Sequence, residues 1–159
     1  MLRDTAALGL ASELLVASHL AAKGFDVHMS IASQSRADLV YIKEGKAVRV
    51  QVKTAQWSKF GDGHFAYERC PLLTKSHLNG YTPDEIDELW VVGTHLWCFP
   101  IDKLIGKRHI ALGSNNPEPR SRYKCNGYIP GDYVVIRGSY ERPFRERHSY
   151  SESNIKETQ

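Results

Sequence analysis

The stretch VRVQVKTAQ, Val48 to Gln56, decides how this chain is read. As a strand it alternates: Val48, Val50 and Val52 point to one side, and Arg49, Gln51 and Lys53 to the other. Three valines at every second position mark a strand whose one face packs on a core. The opposite face then carries an amide and an ammonium two residues apart. Upstream, SRADLVYIKEGKA (Ser35 to Ala47) places Asp38 at the head of a second apolar run. The KEGK between the two runs reads as a turn, so ADLVYI and AVRVQVKTA form a hairpin.

Working outward, DTAALGLASELLVASHLAAKG (Asp4 to Gly24) predicts a helix. Asp4 or Thr5 caps it, Gly24 ends it, and Ala6, Leu10, Leu14, Ala17 and Ala21 recur at the spacing of a buried stripe. FDVHM, GHFAYER, IDELWVVG, HLWCFPI, RHIAL and DYVVIRG read as strands. Gly93-Thr94 joins the third of these to the fourth, and DKLIG is one helical turn at most. Thr54 to Gly63, Cys70 to Pro83 and GSNNPEPRSRYKCNG read as loops. No internal repeat is present. A helix followed by a mixed sheet makes an α/β or α+β domain. It is expected to span residues 1–140, followed by a polar, flexible tail over 141–159.

Composition bounds the function. The chain has 159 residues, 42% hydrophobic and 25% charged, which fits one globular domain with a sizeable core. Its three cysteines are scattered, as expected of reduced thiols in a cytoplasmic protein and not of a zinc site. No stretch is expected to span a membrane, and no signal-peptide pattern opens the chain. The net charge of +3 is unevenly placed. Residues 1–60 carry eight basic and five acidic side chains, residues 61–100 two and six, and residues 101–159 eleven and seven. Two basic regions around an acidic one can form a face for a polyanion.

Three polar residues sit against apolar runs. Glu13 lies at the edge of the helical stripe, where an unpaired carboxylate costs free energy. Asp38 heads LVYI, and Lys53 follows the valines on the face of Gln51. Singly, each has an ordinary explanation: a glutamate reaching solvent, a turn-forming aspartate, a lysine on the wet face of a sheet. Together they have a chemical logic. Carboxylates with a backbone carbonyl, such as that of Val52, suit a hard divalent cation. Such a cation offsets phosphate charge and activates water, and a lysine steadies the charge that develops.

The order GLASELLVASHLAAKGF, RADLVY, VRVQVKT resembles the PD-(D/E)XK nuclease superfamily over about the first third of the chain. The resemblance implies a restriction-endonuclease-like core, a central mixed sheet flanked by helices. It implies catalytic roles for Glu13, Asp38, Gln51 and Lys53, with metal held by Asp38, the Val52 carbonyl and Glu13. Two departures stand out: Ala37 where the motif has proline, and Gln51 where it has its second acid. A neutral amide is the weaker Mg²⁺ ligand. The Q-X-K arrangement is similar to that of the bacterial group I intron-encoded homing endonucleases. The expected cofactor is therefore Mg²⁺, with Mn²⁺ as a substitute, and the expected activity is sequence-specific double-strand cleavage of DNA.

Candidates for DNA contact are Arg36, Lys43 and Lys46 at the hairpin, Lys59, and the Arg120, Arg122, Lys124 cluster. The expected partners are double-stranded DNA and a second copy of the chain, as homodimer or homotetramer, with no membrane. Leu15, Trp90, Trp97 and Tyr133 are expected at its interface. Two alternatives stay open. One is a Holliday-junction resolvase, repair or restriction nuclease of the same fold. The other is a catalytically inactive DNA-binding module, toward which Gln51 points.

Overall fold

The computed structural model describes residues 5–32, 35–60, 65–73, 80–114 and 134–136. Tyr133, Arg120, Arg122, Lys124 and the expected tail over 141–159 lie outside them.

The hairpin forms as the alternation predicts. β2 (Leu39–Lys43) pairs antiparallel with β3 (Lys46–Thr54), Leu39 opposite Val50 and Lys43 opposite Lys46. Glu44 and Gly45 both take positive φ, the backbone of a tight turn that follows strand twist. β1 (Asp26–Met29) adds to the outer edge of β2. On the other side β3 runs parallel to β6 (Glu88–Val92), which pairs with β7 (Leu96–Pro100), and β7 with β9 (Val134–Ile136). The six-stranded sheet has the order β1-β2-β3-β6-β7-β9 and is mixed, as expected.

The one parallel pair among the described residues, β3–β6, is anchored at its start by Arg49. Its guanidinium grips Asp87 through Nε and Nη2, at 3.0 and 2.9 Å, and also bonds the carbonyls of Pro83 and Asp84. The Arg49 and Asp87 backbones bond each other's segments as well. The pairing holds Asp87 well below the usual carboxylate range, chiefly through the Arg49 hydrogen bond.

The helix α1 (Thr5–Ala22) forms where predicted and ends as predicted. The N–H of Gly24, at φ 84°, bonds the Ala21 carbonyl, and that of Phe25 bonds Leu20, a Schellman closure. Its inward face is not the expected one. Ser12, Val16 and Leu20 are buried, while Leu10 and Leu14 are 52% and 51% exposed. Two residues of offset turn the helix by roughly half a circle. The cause is that α1 is apolar nearly all round, so spacing alone does not single out a face. The sheet selects one through Val50, Val52 and Trp90, and through a 2.7 Å hydrogen bond between the Ser12 and Thr54 hydroxyls. By length and composition α1 is also long and apolar enough to cross a bilayer, contrary to expectation; here its inner face packs on the sheet.

A second sheet was not foreseen. β4 (Gln56–Phe60), β5 (Phe65–Pro71) and β8 (His109–Ser114) form an antiparallel sheet in the order β4-β5-β8. β4 falls in a segment read as loop, because QWSKF lacks alternation and becomes a strand by pairing along β5. The segment DKLIG gives a short 3₁₀ turn at Ile101–Lys103. Cys70, Ile110 and Leu112 of the second sheet bury Leu89, Val91, Trp97 and Phe99 of the first. The central sheet is thus covered by α1 on one face and by strands on the other; among the described residues α1 is the one α-helix, where flanking helices were expected. Trp90 and Trp97, expected near sheet edges, are each 4% exposed on interior strands, and Leu15 packs partly against the helix-side core.

The buried Glu68 carboxylate holds the second sheet to the β6–β7 turn by accepting the Thr94 N–H at 2.9 and 3.0 Å. A Cβ at Gly93 would lie 2.9 Å from three atoms of that carboxyl group. Gly93→Ala should therefore destabilise the protein by about 1–3 kcal/mol through overpacking. Urea unfolding checks it, and an unchanged midpoint would show that Glu68 gives way freely.

Candidate active site

β3 runs four residues past the end of its pairing with β2. The last regular pair is Leu39 with Val50, and the next inward-facing peptide on that edge, at Val52, has no strand opposite it. Asp38 fills the gap. Its own backbone is fixed on both sides: its N–H donates to Val50 O at 2.8 Å, and its carbonyl accepts the Ser30 N–H at 2.8 Å. The side chain then reaches along β3, and Oδ2 accepts the Val52 N–H at 2.7 Å. An acid at the head of the LVYI run thus replaces the ladder bond that β2 cannot make.

Alternation does the rest. Val50 and Val52 point into the helix-side core, so Gln51 and Lys53 face the other way, opposite Leu89 and Val91 in the parallel register. Gln51 is buried, and its Nε2 donates both to Asp38 Oδ2 and to Val52 O, the latter at 3.2 Å. Lys53 carries its ammonium to 5.4 Å from the ring centroid of Tyr81. Glu13 arrives from α1, next to the Ser12 hydroxyl that bonds Thr54. It is half-buried, and desolvation raises its pKa.

The structure brings Asp38, Gln51, Val52 and Lys53 to one end of β3, with Glu13 close enough to act on the Asp38 charge. Arg36 joins them: it pairs with Glu85 at 2.9 Å and lies 5.7 Å from the Tyr81 centroid, and its Nη1 has no hydrogen-bond partner among the described residues. Lys43 and Lys46 do not join. They sit at the far end of the hairpin, and the seven residues from Lys46 to Lys53 span roughly 23 Å of extended chain. Lys59 is on β4; its side chain, like Arg120, Arg122 and Lys124, lies outside what is described. Sequence reasoning missed Tyr81, which falls in a segment read as loop, and the Ser12–Thr54 pair. A hydroxyl flanking each of Glu13 and Lys53 was the signal for the latter.

The site suits a hard cation. Among the described residues no three His, Cys, Asp or Glu side chains converge, so the donors are of mixed kind. They are the Asp38 and Glu13 carboxylates, the Val52 carbonyl and the Gln51 amide, which carries an oxygen as well as its nitrogen. Asp38 Oδ2 and Val52 O already converge on one partly positive group, the Gln51 NH₂.

Asp38 is pushed up to about 6, first by burial and further by the Glu13 charge, against the opposing Val52 N–H, Lys53 and Gln51. A raised acid holds its proton more tightly folded than unfolded. Stability should then fall as pH rises from the ordinary value of 3.8 through about 6. Carbon NMR titration of the metal-free protein should place the Asp38 midpoint near 6, and added divalent cation should lower it. Asp38→Asn, which keeps an acceptor for Val52 without the charge, should melt at or above the parent at pH 8. A lower melting temperature there would mean that the ionised carboxylate is not a burden on the fold.

Comparison with known proteins gives the family and the fold. The chain is 34% identical over 109 residues to Protein 5.3 of Escherichia phage T7, covering 68% of this chain and 90% of that one. Its fold is similar to that of the bacterial homing endonuclease I-Ssp6803I, with a TM-score of 0.57 and 21% identity, covering 76% of this chain and 87% of the other. The family model described as PD-(D/E)XK endonuclease matches residues 3–125, which include every residue of the cluster at the end of β3. This nuclease belongs to the PD-(D/E)XK endonuclease family.

Proposed function

We propose that this nuclease is a Mg²⁺-dependent, sequence-specific DNA endonuclease of the cytoplasm, which makes double-strand breaks in the manner of homing. The observation that carries the reading is the convergence of Asp38, Gln51, the Val52 carbonyl and Lys53 where β2 ends. Family membership and the likeness to a homing endonuclease support it.

In this reading Asp38, the Val52 carbonyl and Glu13 hold the cation, with Mn²⁺ able to replace Mg²⁺. The bound cation would supply charge neutralisation at the phosphate and a more acidic water. Asp38 must be ionised to hold it, so cleavage should rise with pH as that carboxyl loses its proton. Gln51 orients Asp38 and adds no charge. Lys53 donates N–H groups to the phosphate oxygens as negative charge builds in the transition state. Arg36, with an unused Nη1, steadies a phosphate beside the cut. Lys43, Lys46 and Lys59 extend the contact along the duplex, and Arg120, Arg122 and Lys124 are proposed to add to it.

One chain supplies one site, whereas a duplex has two antiparallel strands. We infer a two-fold pair of chains, or a pair of such pairs. The apolar surface open to a second copy is the outward face of α1, where Leu10 and Leu14 are exposed.

Lys53→Ala should slow cleavage by about 10² while duplex binding is mostly kept, as on losing one transition-state donor. Asp38→Asn should abolish cleavage, and Gln51→Glu should retain part of it; Mg²⁺ titration of both variants tests this. Near-normal cutting by folded Lys53→Ala would remove the lysine from the chemistry. A panel of linear duplexes, four-way junctions and random-sequence DNA separates homing from resolvase, repair and restriction roles. A chain that binds duplex but cuts none of the panel would be an inactive module. Light scattering with and without duplex should give a dimer or tetramer. A monomer in both conditions that still cuts both strands would point to sequential nicking.

A further inference from the structure

We propose that Tyr81 is a positioning residue for Lys53, its ring holding the ammonium in place while leaving the N–H donors free. The proposal rests on the reading of Lys53 as the donor to the phosphate. A lysine has a flexible four-carbon stem, and an unguided ammonium samples many positions. An ion pair would fix it, but would also occupy the N–H groups that the phosphate needs. Among the described residues the Lys53 ammonium has no hydrogen bond or close ion pair; it feels the more distant Asp38 charge, and the group it lies against is the Tyr81 ring at 5.4 Å. A ring face attracts a cation through its electrons and takes up no oxygen acceptor.

The ring is itself well fixed. Tyr81 is 7% exposed and packs in the core between the two sheets, with Leu89 and Val91. Val91 is the residue opposite Lys53 on β6, so ring and ammonium are referred to the same pair of strands. The same ring also lies 5.7 Å from the Arg36 guanidinium, which Glu85 holds by a 2.9 Å ion pair. One aromatic ring thus lies beside two cations, at 5.4 Å from Lys53 and 5.7 Å from Arg36. Glu85 belongs to the same short segment as Tyr81 and closes it, accepting the Thr82 N–H at 3.1 Å.

The test compares Tyr81→Phe, which keeps the ring, with Tyr81→Leu, which removes it, in the parent and in Lys53→Ala. Single-turnover cleavage and metal-free duplex binding are measured for each. Tyr81→Phe should stay within about twofold of the parent, and Tyr81→Leu should cut about tenfold more slowly with unchanged affinity. In Lys53→Ala, Tyr81→Leu should cost nothing further, since the two residues act as a unit. Equal losses in both backgrounds, or Tyr81→Phe as slow as Tyr81→Leu, would overturn the proposal. Proton NMR reads the contact without cleavage: the Lys53 ε-methylene should be shifted upfield by the ring in the parent and in Tyr81→Phe. An unshifted ε-methylene in the parent would also overturn it, even if Tyr81→Leu fails to fold. A shifted ε-methylene in a parent that cuts no duplex would count against the endonuclease reading and not against the ring contact.

Discussion

A single peptide group without a strand partner, at Val52, organises this molecule's chemistry. β2 ends opposite Val50, and β3 runs on. The Val52 N–H must be satisfied, and the side chain within reach is an acid, Asp38, at 2.7 Å. That bond places a carboxylate at the edge of the core and leaves the neighbouring carbonyl turned to the same side. Gln51 then bridges the two oxygens with its amide nitrogen. In the proposed reading, the need to complete a sheet and the need to gather oxygen ligands are met by the same atoms.

The sheet's two coverings explain why the site can be both buried and charged. Val50 and Val52 are sealed by α1, so the strand is held from behind. Gln51 and Lys53 look toward the second sheet, where Tyr81 belongs to the core between the sheets. Here the Lys53 ammonium and the Arg36 guanidinium lie near the same Tyr81 ring, and Lys53 acts on the charge of Asp38. Burial raises the Asp38 pKa to about 6, so the charge that a cation requires is one the metal-free fold carries at a cost. In the proposed reading, function and stability pull in opposite directions at this residue.

The amide at position 51 fits that tension. A carboxylate there would stand beside Asp38 with Glu13 nearby, and like charges in a desolvated place repel. Gln51 donates where such an acid would repel, so the metal-free fold is relieved. The corresponding consequence is that, among the described residues, the carboxylates of the proposed cation site are those of Asp38 and Glu13, since Glu85 is paired with Arg36.

How far the sequence reached can be judged residue by residue. The alternation of Val48 to Lys53, the KEGK turn and Gly24 are local signals, and the hairpin and helix end follow from them because backbone geometry and side-chain alternation are properties of short segments. Asp38, Gln51 and Lys53 were legible in position for the same reason: Asp38 stands just ahead of β2, and the other two lie on one face of β3. The inward face of α1 was not, since a helix apolar all round carries no directional information; the sheet's valines and the Thr54 hydroxyl chose it. Nor was β4, whose strand character comes from its pairing along β5. Tyr81 shows the limit most plainly. It lies 28 residues beyond Lys53 in the sequence and meets it only because β6 pairs parallel to β3, a connection that brings distant chain back to the same edge of the site. The sequence by itself determined where the candidate groups stand on the hairpin and helix; tertiary structure decided which neighbours would dry, charge and steady them, because burial and through-space electrostatics depend on segments that no local pattern links.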